Sequence, residues 1–252
     1  MMTERDDFYI GYAPLPPSVR RLFLWFIPVL ILVILALAII APPLHFDQAN
    51  AGEIQGVEEV EGLLLAEPSP HLLVPNPEVP DEPFKVYPLS STDKRAPRPA
   101  IMENAGSWVK LSGILIGRGR YSMLAARSAE VIAAPAGAVT LPDQTMSLGE
   151  FAIAGEIIDG KCYPGIMKPG RTKTHRACAI RCISGGVPPV FRAENGRGQS
   201  LYFLLSDLDG QAVNDRVLNM VADPIQITGE VLQYGDSFIL KADPATYERL
   251  PA

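Results

Sequence analysis

The most one-sided stretch of the chain lies near its start: residues 22–41, LFLWFIPVLILVILALAIIA, are twenty consecutive positions without a charge. At about 1.5 Å rise per residue such a run covers a hydrocarbon core roughly 30 Å thick, and so predicts a transmembrane helix. Arg20 and Arg21 abut its start and Arg5 lies further back, whereas no Lys or Arg follows it until Lys85. The positive-inside rule then predicts a cytoplasmic tail at 1–21, a single pass through a bacterial inner membrane, and a periplasmic location for everything beyond residue 41. A cleaved signal peptide is the competing reading, since Ala49-Asn50-Ala51 has the small-x-small form of a cleavage site. Against it, the apolar run exceeds the roughly 7 to 15 residues of a leader, and the site lies about ten residues past its end.

Beyond the span the pattern changes to short β-prone runs punctuated by turn signals, and these runs repeat. VEGLLLAE (60–67) opens one half as IAGEIIDG (153–160) opens the other. Each is followed by a variable insert and an aromatic strand, VYPLS (86–90) and LYFLLSD (201–207). Each half closes with two β-prone runs around a Gly-containing turn, 108–126 and 225–242, with Ser112-Gly113 answering Thr228-Gly229. The nine prolines between Glu67 and Pro99 exclude a helix there and favour extended, loop-like backbone, within which Val86-Tyr87 can form a short strand. In 207–223, Asp-Gly marks a turn and Val213, Val217, Leu218 and Val221 recur at helical spacing, predicting a short core-packed helix.

The fold class predicted is therefore mainly β: one N-terminal transmembrane helix followed by two small barrels of the oligonucleotide/oligosaccharide-binding (OB) type. The first occupies 50–145 and contains the Pro-rich insert; the second occupies 146–252 and carries a short Cys/His-bearing helix. A single irregular β-sandwich is the alternative. A fold of this type says nothing of function by itself.

Composition removes one class of partner. The formal charge of −6 and pI near 5.2 exclude nucleic acid, whose phosphates demand a basic face. No phosphate loop, Ser-His-Asp order or cofactor fingerprint points to an independent enzyme.

The chemistry is concentrated in GKCYPGIMKPGRTKTHRACAIRCISGGVPPVF (160–191), which holds all three cysteines, Cys162, Cys178 and Cys182, and one of three histidines, His175. THRACAIRCISGGVPP reads as a short helix with Thr174 as N-cap, Gly185-Gly186 as a left-handed stop and Pro188-Pro189 beyond. On it His175, Cys178 and Cys182 stand at i, i+3 and i+7, on one face, with Arg176 and Arg181 pointing elsewhere. Cys162 ends the preceding β-run, and the twelve residues before His175 are long enough to bring it over the helix. The result is a Cys3His set suited to zinc, copper(I) or an iron–sulfur cluster.

Seven basic residues and no acid lie between Gly160 and Ala193 (Lys161, Lys168, Arg171, Lys173, Arg176, Arg181, Arg192), a field expected to lower thiol pKa values and favour thiolates. The same cluster also suits an anion, a lipid headgroup or an acidic protein surface. Two alternatives for the cysteines stay open: a disulfide from Cys162 to one helix cysteine, and a nucleophilic or redox thiol with His175 as base, for which no orienting third group is evident. His45 and His71 are isolated and are left outside the site.

The string GEIIDGKC…THRACAIRCISGGVPPVF resembles a signature of poorly characterised exported bacterial proteins, G-E-[VI]-x-D-x-x-C followed by H-x-x-C-A-x-x-C-[IL]-x-G-G-x-P. It covers about residues 153–191, and the chain matches it through Cys162, His175, Cys178, Cys182, Gly185, Gly186 and Pro188. The resemblance implies that the four candidate ligands act as a unit and implies no reaction. Together these features predict a membrane-anchored, metal-binding accessory or electron-transfer subunit of a membrane-bound protein complex. The alternatives are a periplasmic thiol-redox or metal-dependent enzyme and a disulfide-held assembly module.

Overall fold

The computed structural model describes residues 16–46, 52–135 and 145–251. Most of the expected cytoplasmic tail and the Ala49-Asn50-Ala51 site lie outside the described residues. The chain divides into two compact units, residues 1–49 and 50–252.

Among the described residues the first unit contains one helix, α1 (Pro17–Phe46), whose Pro17–Leu44 portion is long and apolar enough for a membrane span or a signal sequence. It extends beyond the charge-free run 22–41 at both ends because helix formation does not stop where apolarity does.

The second unit is mainly β. In chain order it comprises β1 (Glu53–Leu65), β2 (His71–Pro75), β3 (Phe84–Ser91), the one-turn helix α2 (Pro99–Met102), β4 (Trp108–Arg118), β5 (Tyr121–Val131), β6 (Met146–Asp159), α3 (Thr172–Ser184), β7 (Pro189–Glu194), β8 (Ser200–Ser206), β9 (Ile225–Tyr234), β10 (Ser237–Lys241) and β11 (Glu248–Arg249). The first five strands close into a barrel in the order β1-β2-β3-β5-β4, with β4 returning to β1 and β3–β5 the parallel pairing. Strands β6 to β10 repeat that order. The β6-β7-β8-β10-β9 ring is closed by β9–β6, its parallel pairing is β8–β10, and β11 extends it along β9.

The duplication reaches single residues. A bulge interrupts β1 against β4 at Gly56 (φ +119) and β6 against β9 at Gly149 (φ +104), a backbone region that glycine enters without penalty. A Cβ on Gly62 would lie 2.3 Å from the Leu73 carbonyl oxygen, and one on Gly155 would lie 2.3 Å from that of Arg192, so the same close strand crossing recurs in both rings. The cores match as well. Leu64, Leu72, Leu111 and Leu124 of the first ring and Ile157, Phe191, Ile227 and Leu240 of the second occupy equivalent register positions, and all are fully buried.

A third apolar cluster joins the rings: Phe84, Val86, Tyr121 and Met123 pack with Ile158, Val190, Leu204 and Tyr234. The two halves thus share a core. Within it His71, at the start of β2, is completely buried. Its Nδ1–H donates to the Ser69 carbonyl (2.7 Å), so the neutral ring accepts from the Tyr234 hydroxyl at Nε2 (2.8 Å), a bond from one ring to the other.

Three elements differ from the sequence expectation. Each variable insert contains a strand, β2 or β7, hidden because short runs such as HLLV between two prolines and VF after one carry no alternation. In 207–223 the backbone forms the expected turn and then a single 3-10 turn at Asn214–Arg216 in place of a helix, although Val213, Val217 and Val221 are buried as expected. The Asp207 carboxylate takes the N–H groups of Asp209 and Gln211, and Asn214 Nδ2 is drawn to the Ile183 and Val187 carbonyls. These side-chain bonds compete with helical ones.

Burial pushes the His71 pKa down to about 4 from 6.5. Because the unfolded chain then takes up the proton more readily, stability is complete above pH 6.5 and falls as pH drops towards 4. The loss amounts to about 3 kcal/mol at 1.36 kcal/mol per unit. Urea denaturation of wild type and His71→Gln at pH 7 and pH 4.5 should show a smaller acid-induced loss in the variant; equal losses would exclude His71 as its source.

Candidate metal centre

The centre is an insertion into the duplicated fold. Five residues (66–70) join β1 to β2 in the first ring, whereas residues 160–188, including α3, separate the equivalent β6 and β7. Helix α3 starts at Thr172, two residues before the expected cap. Arg171 at the cap position makes no side-chain cap bond, and the N–H of Thr172 instead donates to Glu156 Oε2 of β6 at 2.9 Å. An acid at a helix N-terminus also meets the positive end of the helix dipole. At the far end Gly185 keeps a right-handed conformation (φ −83) and Gly186 takes the left-handed one (φ +92), so the second glycine of the pair provides the stop.

The expected helix face is present. His175 and Cys182 are buried and Cys178 is half-buried, while Arg176 is drawn to the barrel by Asp223 Oδ1 (2.7 Å) and the Asn219 carbonyl (2.8 Å). Cys162 folds back over this face. Its sulfur lies 3.6 Å from that of Cys182 and 3.9 Å from that of Cys178, and all three sulfurs lie within 4.8 Å of one another. They are free thiols, well beyond the about 2.05 Å of a disulfide. The spacing matches the edge of a tetrahedron around one ion, about 3.8 Å for metal–sulfur bonds of roughly 2.3 Å.

Asp159 organises the remainder. Fully buried at the end of β6, it accepts the N–H groups of Cys162 (2.5 Å) and Lys161 (3.2 Å) at Oδ1, fixing the turn that presents Cys162. Its Oδ2 accepts from Nε2–H of His175 at 3.0 Å. The His175 ring also lies within bonding reach of the Cys162 thiol, so Asp159, Cys162 and His175 form a second close group that shares Cys162 with the sulfur triangle. A carboxylate that holds the far nitrogen of a histidine fixes its tautomer and orientation for a metal. The Asp159 carboxylate, followed by the Cys162 thiol, also raises the His175 pKa to about 9, so an ion that takes Nδ1 displaces a proton.

The four residues singled out in the sequence, Cys162, His175, Cys178 and Cys182, are therefore brought to one place. The electrostatic expectation is corrected. Contact with Cys182 and burial push the Cys162 thiol pKa up, and burial pushes that of Cys178 up. Several of the basic residues are committed elsewhere: Arg176 to Asp223, Arg171 to Glu156, Arg192 to Glu156 and Glu194, and Lys161 to the carbonyls of Ser91 and Asp93. The cation that does touch a thiol comes from the other ring: Lys94 Nζ donates to Cys178 Sγ at 3.0 Å. Sequence reading missed both Asp159 and Lys94. Asp159 had a signal in the Asp-x-x-Cys spacing of GEIIDGKC; Lys94, 84 residues before Cys178, had none.

Compared with known protein families and with characterised proteins, the chain matches none. The site can hold a metal ion through cysteine, histidine and carboxylate groups.

Cys178→Ser and Cys182→Ser should each abolish stoichiometric zinc binding, measured by competition with a chromophoric chelator. Asp159→Asn should retain binding but weaken it about 10- to 100-fold, the usual effect of removing a partner that orients a ligand. Wild-type affinity in Asp159→Asn would rule out the orienting role.

Proposed function

We propose that the chain is a membrane-anchored periplasmic protein that binds one metal ion through Cys162, His175, Cys178 and Cys182, and that it serves as an accessory or electron-transfer subunit of a membrane-bound complex. The observation that carries the metal reading is the sulfur spacing of 3.6 and 3.9 Å, joined to a histidine already oriented by a buried carboxylate. Three mutually close sulfurs favour a mononuclear ion over an iron–sulfur cluster, in which each iron takes only one or two cysteine thiolates and the others stand wider apart. Zinc and copper both accept such donors, and zinc matches a closed thiolate–imidazole shell best. The anchor rests on α1, with Arg20 and Arg21 at its N-terminal end setting the inward side.

A second reading is supported by the 3.6 Å approach of Cys162 to Cys182, which lets these two thiols form a disulfide and leave Cys178 free. Metal binding and that disulfide exclude each other, because both require the same sulfurs.

Elemental analysis of the full chain purified in detergent without added reductant should find one zinc or copper per chain, no acid-labile sulfide, and three thiols titrating after denaturation and chelation. No metal together with a single titrating thiol would establish the disulfide instead. In spheroplasts, added protease should degrade the domain beyond α1 while it stays with the membrane after alkaline extraction; protection from the protease would reverse the assigned orientation.

A further inference from the structure

The end of β3 and the loop that follows it in the first ring, residues 91–96, lie against the metal centre of the second. Its placement is set by backbone contacts. The N–H of Ala96 donates to the Gly185 carbonyl at 2.8 Å. A Cβ on Gly185 would fall 2.3 Å from the Lys94 carbonyl oxygen, and one on Gly186 would fall 2.8 Å from Ala96 Cβ, so the Gly-Gly pair that ends α3 also admits this loop. From the opposite side Lys161, next to Cys162, donates to the Ser91 and Asp93 carbonyls. Lys94 thus leaves a fixed stretch of backbone when it reaches Cys178, which at half-burial is the most open of the helix-borne ligand positions.

Charge gives this contact a purpose. Three thiolates and a neutral imidazole around a divalent ion carry one unit of excess negative charge, and the buried Asp159 carboxylate adds a second beneath them. An N–H bond from a cation to a thiolate offsets that excess without occupying a coordination position.

We propose, building on the single-ion reading above, that Lys94 belongs to the metal centre as the outer cation on the Cys178 sulfur, so that the first ring completes the binding site of the second. The residue changes how tightly an ion is held and how strongly Cys178 donates to it. It does not coordinate the ion.

Cobalt(II) titration of the reduced, full chain in detergent tests this with wild type, Lys94→Met and Lys94→Arg. In Lys94→Met, cobalt affinity should fall about 10- to 100-fold. Its sulfur-to-cobalt charge-transfer band should also move to lower energy, because a sulfur relieved of an N–H bond gives up its electrons more easily. Lys94→Arg keeps the charge and the donor and should stay close to wild type in both readouts. Unchanged affinity and band position in Lys94→Met, or an equal loss in both variants without a band shift, would overturn the role. Wild type that develops no cobalt–thiolate band at all would instead remove the metal centre itself, and the role of Lys94 with it. Metal-free denaturation of each variant separates a loosened loop from a weakened centre, since a purely structural loss would appear there equally.

Discussion

Asp159 is fully buried at the end of a barrel strand, and a buried carboxylate is tolerated only where its oxygens are satisfied. One oxygen holds the backbone of Lys161 and Cys162, and the other holds the ring of His175, sixteen residues further on. The same charge therefore sets the direction in which the chain leaves β6 and the orientation of a residue on α3. Without it the inserted segment would lose the carboxylate that ties its first turn to its helix and holds Cys162 over the Cys178–Cys182 face. Glu156, three residues earlier on the same strand, makes the matching tie at the other end by receiving the first amide of α3. Two acids on one strand thus position the whole insertion.

The surrounding fold explains how such an insertion is accommodated. Two five-stranded rings of the same order, with equivalent bulges and core positions, give the protein two copies of one scaffold. The first retains a five-residue connection where the second carries the centre. The copies have diverged in role: the second supplies the cysteines and the histidine, and the first supplies the loop that closes over them. The shared apolar cluster and the His71–Tyr234 bond keep the rings in contact, which brings a loop of one within bonding distance of a thiol of the other.

Much of this was legible in the sequence because it is written in local periodicity. The charge-free run marked α1, the repeated β-runs with Gly113 and Gly229 marked the duplication, and the i, i+3, i+7 spacing put His175, Cys178 and Cys182 on one helix face. Proline-bounded strands such as β2 escaped, since three consecutive buried residues, His71 to Leu73, show no alternation. The thiol electrostatics were misread because counting charges along 160–193 ignores partners elsewhere in the chain. Arg176 answers Asp223 and Arg192 answers Glu156, so little of the apparent field reaches the sulfurs.

Residue spacing within single segments was enough to reveal α1, the Cys/His-bearing helix, the duplicated β-runs and the four candidate ligands. Tertiary structure alone set the separation of the sulfurs, the orienting role of Asp159, the Cys182 contact and burial that push the Cys162 thiol pKa up, and the arrival of Lys94 from the other ring. Those depend on distances between residues far apart in the chain. Such distances are fixed by how two barrels share a core, a property that no local pattern encodes.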